Sequence, residues 1–149
     1  MTVRTRTTTA SRARLQHAQE NTADYLETIA DLIRERGEAR LVDIAARLGV
    51  SKGTANKKIR LLQREGFVRS EPYRSIFLNP SAARLAARSK QRHMIVLEFL
   101  KAAGVPDEVA EQDAEGIEHH VSPKTLAALQ ALTQRLRDEA DAKALSDKV

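Results

Sequence analysis

The sequence predicts a mainly α-helical protein, in which an N-terminal winged helix-turn-helix domain is followed by a second, all-helical domain. Apolar residues recur at spacings of three and four along most of the chain, which is typical of amphipathic helices. The exception is residues 67–78, where apolar ends flank a polar centre with a proline, as in a β-hairpin. With 149 residues and no cysteine, the chain is one domain long, or two very small ones, and lacks disulfides and sulfur-based metal sites.

Two helices are predicted before the turn of the helix-turn-helix. The first extends from about Asn21 to Arg36, and Gly37 ends it. The second is short and covers Val42 to Leu48. The buried stripe of the first helix consists of five apolar residues at helical spacing: Tyr25, Leu26, Ile29, Leu32 and Ile33.

The third predicted helix is basic and follows a tight turn at residues 49–51. Ser51 is its expected N-cap, and the helix continues to about Glu65 before Gly66. Its buried stripe would consist of Ala55, Ile59 and Leu62. Two helices joined by such a turn, the second of them basic, predict a helix-turn-helix, and the hairpin that follows would be its wing.

Three further helices are predicted after the hairpin. A long helix restarts at Pro80 or Ser81 and reaches Ala103, with Leu85, Met94, Leu97 and Leu100 as its apolar positions. An acidic helix then opens at Pro106 and reaches about His119. The last helix starts at Ser122-Pro123, and its apolar stripe consists of Leu126, Leu129, Leu132 and Leu136.

Charge is distributed unevenly along the chain. Residues 1–19 contain four arginines and no acid, and residues 51–74 contain seven Lys or Arg against two Glu. Residues 106–121 are the reverse, with six acidic residues and no Lys or Arg. The two opposite regions imply one anionic and one cationic partner. Because the sequence has neither a signal peptide nor a membrane-spanning apolar run, we expect a cytoplasmic protein without membrane partners.

The basic third helix is the predicted DNA-reading element. Asn and Thr side chains can contact base edges, while Lys and Arg neutralise phosphates. The candidate contacts are Lys52, Thr54, Asn56, Lys57 and Arg60, joined by Arg74 at the tip of the hairpin. On an isolated helix such a face is more often a solvated surface, as it could be for Lys58 and Arg64. Here the preceding turn and the following hairpin favour binding of double-stranded DNA.

A second group of candidate residues lies in the acidic region. Glu115, Glu118 and His119 stand at i, i+3 and i+4, so on a helix they share one face. Clustered like charges destabilise a helix unless a cation neutralises them. Oxygen and nitrogen donors without sulfur favour Mn²⁺, with Fe²⁺ and other divalent ions as alternatives. A solvated acidic helix with a chance histidine is the competing interpretation.

Two other regions offer further donors. Asp24 and Glu27, at i and i+3 on the first helix, would direct a second pair of carboxylates inward. His93 lies within an apolar helical stretch, where a lone histidine is more often a core residue than a ligand. Six donors on three helices could surround a pair of ions, with Glu115 and Glu118 able to bridge them.

The chain resembles the diphtheria-toxin-repressor family of metal-dependent regulators and, within that family, its manganese-responsive branch. The resemblance is carried by Asp24-Tyr25-Leu26-Glu27, Val42-Asp43-Ile44-Ala45, Arg92-His93 and the run from Asp113 to His120. It implies a two-ion site in each protomer, with His120 outside the ligand set. The implied ligands are Asp24, Glu27, His93, Glu115, Glu118 and His119. Iron-responsive relatives have sulfur donors at the positions of Asp24 and Glu115, so oxygen there favours Mn²⁺.

The resemblance also implies a mechanism and a domain organisation. It implies a homodimer that binds a pseudo-palindromic operator when Mn²⁺ is bound, represses manganese-uptake genes and has no small organic substrate. The expected parts are a basic mobile arm at 1–19, a winged helix-turn-helix at 20–79, a helical metal-binding and dimerisation domain at 80–141 and a tail at 142–149. Gly53 and the polar run 56–58 depart from the family's usual recognition helix, so the operator sequence is not predicted.

Two alternatives come from other functional classes. A winged-helix regulator could respond to Fe²⁺ or to no metal, and in the latter case it would bind DNA equally well in chelator. Carboxylates and histidines on helices also build dinuclear metal enzymes, which usually carry Glu-x-x-His on each of two helices. In this chain Glu115 and His119 have the wrong spacing, Glu118 and His119 are adjacent, and the Glu-x-x-His of a second helix is absent.

Overall fold

The computed structural model describes residues 9–70 and 75–148, with the backbone alone for 9–13 and 15–20. The described chain is mainly helical, as predicted, and its two strands form an antiparallel sheet. In order, the elements are α1 (Thr9–Arg36), α2 (Leu41–Leu48), α3 (Lys52–Arg64), β1 (Val68–Ser70), β2 (Ile76–Leu78), α4 (Pro80–Ala102), α5 (Asp107–Ile117), a 3₁₀ helix (Glu118–His120) and α6 (Pro123–Ser146). They divide into two compact units, Met1–Arg88 and Ser89–Val149.

The first unit is built around one apolar core. Leu26, Ile29 and Leu32 of α1 are fully buried in it, together with Ile44 of α2 and Leu62 of α3. Burying a large apolar side chain contributes roughly 1.5–3 kcal/mol. The predicted stripe of α3 is confirmed, because Ala55, Ile59 and Leu62 are its buried residues. The core therefore holds α3 by one face and leaves its polar face to solvent.

The turn of the helix-turn-helix also agrees with the sequence. Gly49 ends α2 with a positive φ of 66°, a conformation that glycine adopts without steric cost. Val50 N then donates to Ala45 O at 3.0 Å. Ser51 caps α3, since its Oγ accepts a hydrogen bond from Thr54 N at 3.1 Å.

The wing is the predicted hairpin. Arg69 on β1 lies opposite Phe77 on β2, and both side chains are exposed. The hairpin is held to the unit by Ile76, which is buried and whose N donates to Ala39 O at 2.8 Å. Arg74, the candidate contact at the tip, lies outside the described residues.

The second unit packs α5 and α6 against the C-terminal part of α4. Its core consists of Val96, Leu97, Ala110, Ala114 and Leu126. The acidic helix ends at Ile117 and continues as a 3₁₀ helix, whereas the sequence predicts a single helix to about His119. Beyond the 3₁₀ helix, Pro123 prevents the helix from continuing, because a residue before proline is biased away from helical backbone. Ser122 is extended (ψ 161°), and its Oγ caps α6 by accepting from Thr125 N.

Two further helix boundaries differ from those predicted. Helix α1 begins at Thr9 rather than near Asn21, and α6 extends to Ser146. Both extensions contain several alanines together with Leu and a basic residue, all of which favour helix. The division between the two compact units falls within α4, between residues 88 and 89. Among the described helices, none combines the length and apolarity needed to cross a membrane.

Candidate metal centre and nucleic-acid interface

His93 is a half-buried residue of α4 whose ring faces carboxylates of α5 and the 3₁₀ helix. Its Nδ1 lies 3.0 Å from Glu118 Oε2 and 3.7 Å from Glu115 Oε1. Its Nε2 lies 3.5 Å from Glu111 Oε2. The apolar context predicts a packed histidine, but the structure places this ring among three carboxylates.

Glu118 is the most buried acidic side chain in this cluster, with 3% of its surface exposed. Burying a carboxylate is costly unless positive charge or hydrogen-bond donors compensate it. Two imidazoles flank the carboxylate, since His93 Nδ1 lies 3.0 Å from Oε2 and His119 Nε2 lies 3.4 Å from Oε1. The first residue of the 3₁₀ helix is thereby fixed inside the unit.

The cluster has the dimensions of a metal site. His93, Glu115 and Glu118 each offer a ligand atom, and these atoms all lie within 4.8 Å of one another. Glu115 and His119 also offer ligand atoms within that distance of each other. Donors that bind one divalent ion at roughly 2–2.5 Å lie at most about 5 Å apart. The carboxylate and imidazole donors therefore fit a divalent transition metal such as Mn²⁺.

The predicted helical face of Glu115, Glu118 and His119 is altered, because these residues do not all belong to one α-helix. The change to a 3₁₀ helix at Glu118 alters the angle between successive side chains. Glu115 remains exposed, while Glu118 is buried and His119 is half-buried. The structure thus brings together four of the six candidate ligands in the second unit.

The other two candidate ligands belong to the first unit. Asp24 and Glu27 lie on α1, on either side of the buried residues Tyr25 and Leu26. Both residues are half-buried. His120, expected to lie outside the ligand set, is exposed.

Two residues near the cluster were given no role by sequence reasoning, although Arg92 belongs to one of the motifs that carry the resemblance. Arg92 Nη2 donates to the carbonyl oxygens of Glu118 and Val121 at 2.6 and 2.7 Å. Glu111, beside His93, also lies 3.8 Å from Lys101 Nζ through its second oxygen. The spacing of Glu111 and Glu115 at i and i+4 on α5 was an available signal for Glu111, whereas the contacts of Arg92 depend on tertiary structure.

The outer face of α3 carries the candidate DNA contacts. Lys52, Thr54, Lys57 and Arg60 are exposed, and Asn56 is half-buried. The Thr54 hydroxyl accepts from Ser51 Oγ at 2.9 Å and so is already engaged in the cap. An open basic cleft on this helix is lined by Lys57, Arg60, Gln63 and Arg64.

The structure corrects the interpretation of Lys58 as a solvated residue. Its Nζ donates to Thr22 Oγ1 of α1 at 2.8 Å, and the side chain is half-buried. Burial lowers the pKa of the Lys58 ammonium, because it disfavours the charged form. Lys58 therefore links the recognition helix to α1.

The chain matches two domain families along most of its length. Residues 17–76 match "Iron dependent repressor, N-terminal DNA binding domain". Residues 80–143 match "Iron dependent repressor, metal binding and dimerisation domain". The candidate residues of α3 lie in the first match, and the clustered donors lie in the second.

Curated relatives show the same similarity. The "Transcriptional regulator MntR" of Salmonella typhimurium is 51% identical over 119 residues, which are 80% of this chain and 76% of the relative. The "HTH-type transcriptional regulator MntR" of Lysinibacillus sphaericus is 36% identical over 118 residues, or 79% of this chain and 85% of the relative.

Solved structures share the fold. A "Manganese-dependent transcriptional repressor complex with manganese" superposes with a TM-score of 0.67 at 29% identity, covering 76% of this chain and 52% of that one. The crystal structure of T. acidophilum IdeR gives a TM-score of 0.66 at 27% identity, covering 72% of this chain and 51% of that one. The chain thus spans about half the length of these solved structures.

Proposed function

The chain belongs to the iron-dependent repressor family, and from this membership we propose that it represses transcription by binding operator DNA under the control of Mn²⁺. The observation that carries the proposal is the cluster of His93, Glu115 and Glu118, with ligand atoms within 4.8 Å of one another. Because the family consists of transcriptional repressors, the chain is a DNA-binding regulator and not an enzyme.

We propose that each protomer binds two metal ions through six ligand residues. The distances between their side chains support four of these as ligands: His93, Glu115, Glu118 and His119. Asp24 and Glu27 are proposed on the strength of the family motif in α1. Mn²⁺ is favoured over Fe²⁺ because every donor is oxygen or nitrogen, and because several relatives are named as manganese-dependent repressors or MntR regulators.

The proposed DNA-binding surface is the outer face of α3, placed in the major groove with the wing alongside. Lys52, Lys57 and Arg60 would contact phosphates, and Thr54 and Asn56 would reach base edges. Arg74 at the tip of the hairpin is proposed as a further phosphate or minor-groove contact. A homodimer would present two such helices to a pseudo-palindromic operator.

The chain's own residues explain how metal could control DNA binding. When bound, the metal supplies positive charge that neutralises the clustered carboxylates. Asp24 and Glu27, as ligands, would restrain α1. Helix α1 shares its apolar core with α3, and Thr22 of α1 accepts a hydrogen bond from Lys58 of α3. Restraint of α1 therefore favours conformations in which both recognition helices of a dimer fit the groove.

A selection experiment tests this proposal. Chelated, purified protein is incubated with fragmented DNA from the source genome, with and without Mn²⁺, and the retained fragments are sequenced. We expect a few palindromic sites to be retained only with Mn²⁺. Equal retention in chelator would contradict control by metal, and retention restored by Fe²⁺ but not Mn²⁺ would assign the regulator to iron.

Matched variants make the result specific to the proposed site. Glu115→Ala should abolish retention with Mn²⁺ while leaving the dimer intact. Asp113→Ala removes the same charge from the exposed surface of α5 and should retain the same fragments as the wild type. Full metal response in Glu115→Ala would contradict its assignment as a ligand.

A further inference from the structure

Arg92 connects α4 to the turn that carries two of the proposed ligands. It immediately precedes His93, is half-buried, and donates through Nη2 to Glu118 O at 2.6 Å and Val121 O at 2.7 Å. Both lengths are short for hydrogen bonds between nitrogen and oxygen, as expected when the donor carries a charge. The two acceptors stand at the start and just beyond the end of the 3₁₀ helix.

This turn needs such a donor. Helix α5 ends at Ile117, and Val121 is extended (φ −105°, ψ 141°). The last carbonyl groups of a helix have no partner within it and must be satisfied from elsewhere. A guanidinium offers several donors in one plane, so one side chain can hold two carbonyl oxygens.

We propose that Arg92 is a positioning residue of the metal centre, which fixes the backbone of the turn so that Glu118 and His119 present their ligand atoms correctly. The inference rests on the proposed metal-binding function. Two successive residues of α4 contact different parts of Glu118. His93 lies 3.0 Å from the Glu118 carboxylate, and Arg92 binds the Glu118 carbonyl. Glu118 is thus held at its side chain and at its backbone.

The charge of Arg92 makes the proposal distinguishable from a purely electrostatic role. A guanidinium near a cation site repels the cation, so its removal would tighten Mn²⁺ binding if charge alone mattered. Loss of positioning would have the opposite effect and weaken Mn²⁺ binding. Changes to residues that orient metal ligands typically weaken metal binding about 10–100-fold.

The test compares Mn²⁺ affinities of the full chain by titration, with free Mn²⁺ followed by electron paramagnetic resonance. Arg92→Gln should weaken binding about 10–100-fold, and Arg92→Lys, which keeps the charge and some donors, should lose less. Arg88→Gln, which removes an exposed arginine one turn earlier on α4, should bind like the wild type. Unchanged or tighter binding in Arg92→Gln would overturn the inference.

A second measurement separates positioning from general stability. In chelator, hydrogen exchange of the Arg92 variants should increase at residues 118–121 but not in the core of the second unit. A uniform increase throughout that unit would show that Arg92 serves stability alone and would overturn the inference. If the wild type itself binds no Mn²⁺, the proposed function fails, and the role of Arg92 at a metal centre fails with it.

Discussion

At the scale of single residues, Glu118 is the centre of the proposed site. Its side chain is 3% exposed and lies between His93 and His119, at 3.0 and 3.4 Å. A carboxylate in this position serves a cation well, but it is costly to bury when the positive charge is missing. The same residue therefore links metal affinity to the stability of the metal-free protein.

Glu118→Gln should separate these two effects. The amide keeps the shape of the side chain but loses its charge, so Mn²⁺ affinity should fall by more than about 100-fold, beyond the usual effect of changing a residue that only orients a ligand. The thermal midpoint in chelator should not fall, since a buried charge is removed. Asp113→Asn on the exposed surface is the control, and unchanged Mn²⁺ affinity in Glu118→Gln would remove it from the ligand set.

Spacing along the chain predicted part of this site. Glu115, Glu118 and His119 were recognisable because helical periodicity places them together even though the helix ends between them. His93 was recognised by the family motif, since its apolar neighbours predict a core residue. Arg92 could not be predicted from spacing, because its acceptors lie 26 and 29 residues away in the chain.

At the scale of elements, α3 carries two adjacent lysines with different environments. Lys57 is exposed in the basic cleft, whereas Lys58 is half-buried and donates to Thr22. The helical period of 3.6 residues explains the difference, because neighbouring positions lie about 100° apart around the axis. The two residues are chemically identical, and their environments differ only because of the way in which α3 packs against α1.

The salt dependence of DNA binding should distinguish these lysines. Lys57→Ala should reduce the slope of log affinity against log salt by about one unit, as expected for one phosphate contact. Lys58→Met should leave the slope unchanged, since its ammonium is directed to α1. A loss of about one unit in Lys58→Met would place its ammonium on a phosphate and contradict the structure.

The wing is attached through an acid-sensitive contact. Glu38 accepts hydrogen bonds from Ser75 Oγ at 2.7 Å and Arg40 Nε at 3.0 Å. Both hydrogen bonds lower the pKa of Glu38, and the bond from Ser75 has the larger effect. A lowered pKa in the folded state contributes stability above the ordinary value for glutamate, about 4.3, and this contribution is lost as the pH falls through the folded-state pKa.

Glu38→Gln should therefore be less stable than the wild type at neutral pH, with a difference that shrinks on acidification. Urea unfolding at pH 7 and at successively lower pH measures this difference. Glu139→Gln on the exposed surface of α6 is the control and should follow the wild type at every pH. A difference between Glu38→Gln and the wild type that does not change with pH would contradict the assigned contact.

At the scale of the whole molecule, opposite charges occupy different units. The basic helix α3 belongs to the first unit, and the acidic helix α5 belongs to the second. Apolar periodicity, capping residues and prolines together predicted the six α-helices of the described chain and its hairpin. The start of α1 at Thr9 and the end of α6 at Ser146 were not predicted, because helix propensity gives no sharp boundary there.

The central claim is that metal and DNA binding are coupled, and coupling between two sites must be reciprocal. The most direct test measures the Mn²⁺ affinity of the wild type alone and with a saturating amount of a fragment retained in the selection experiment. We predict that DNA tightens Mn²⁺ binding by the same factor by which Mn²⁺ tightens DNA binding, on the order of 5–150-fold. A Mn²⁺ affinity unaffected by DNA would contradict the account.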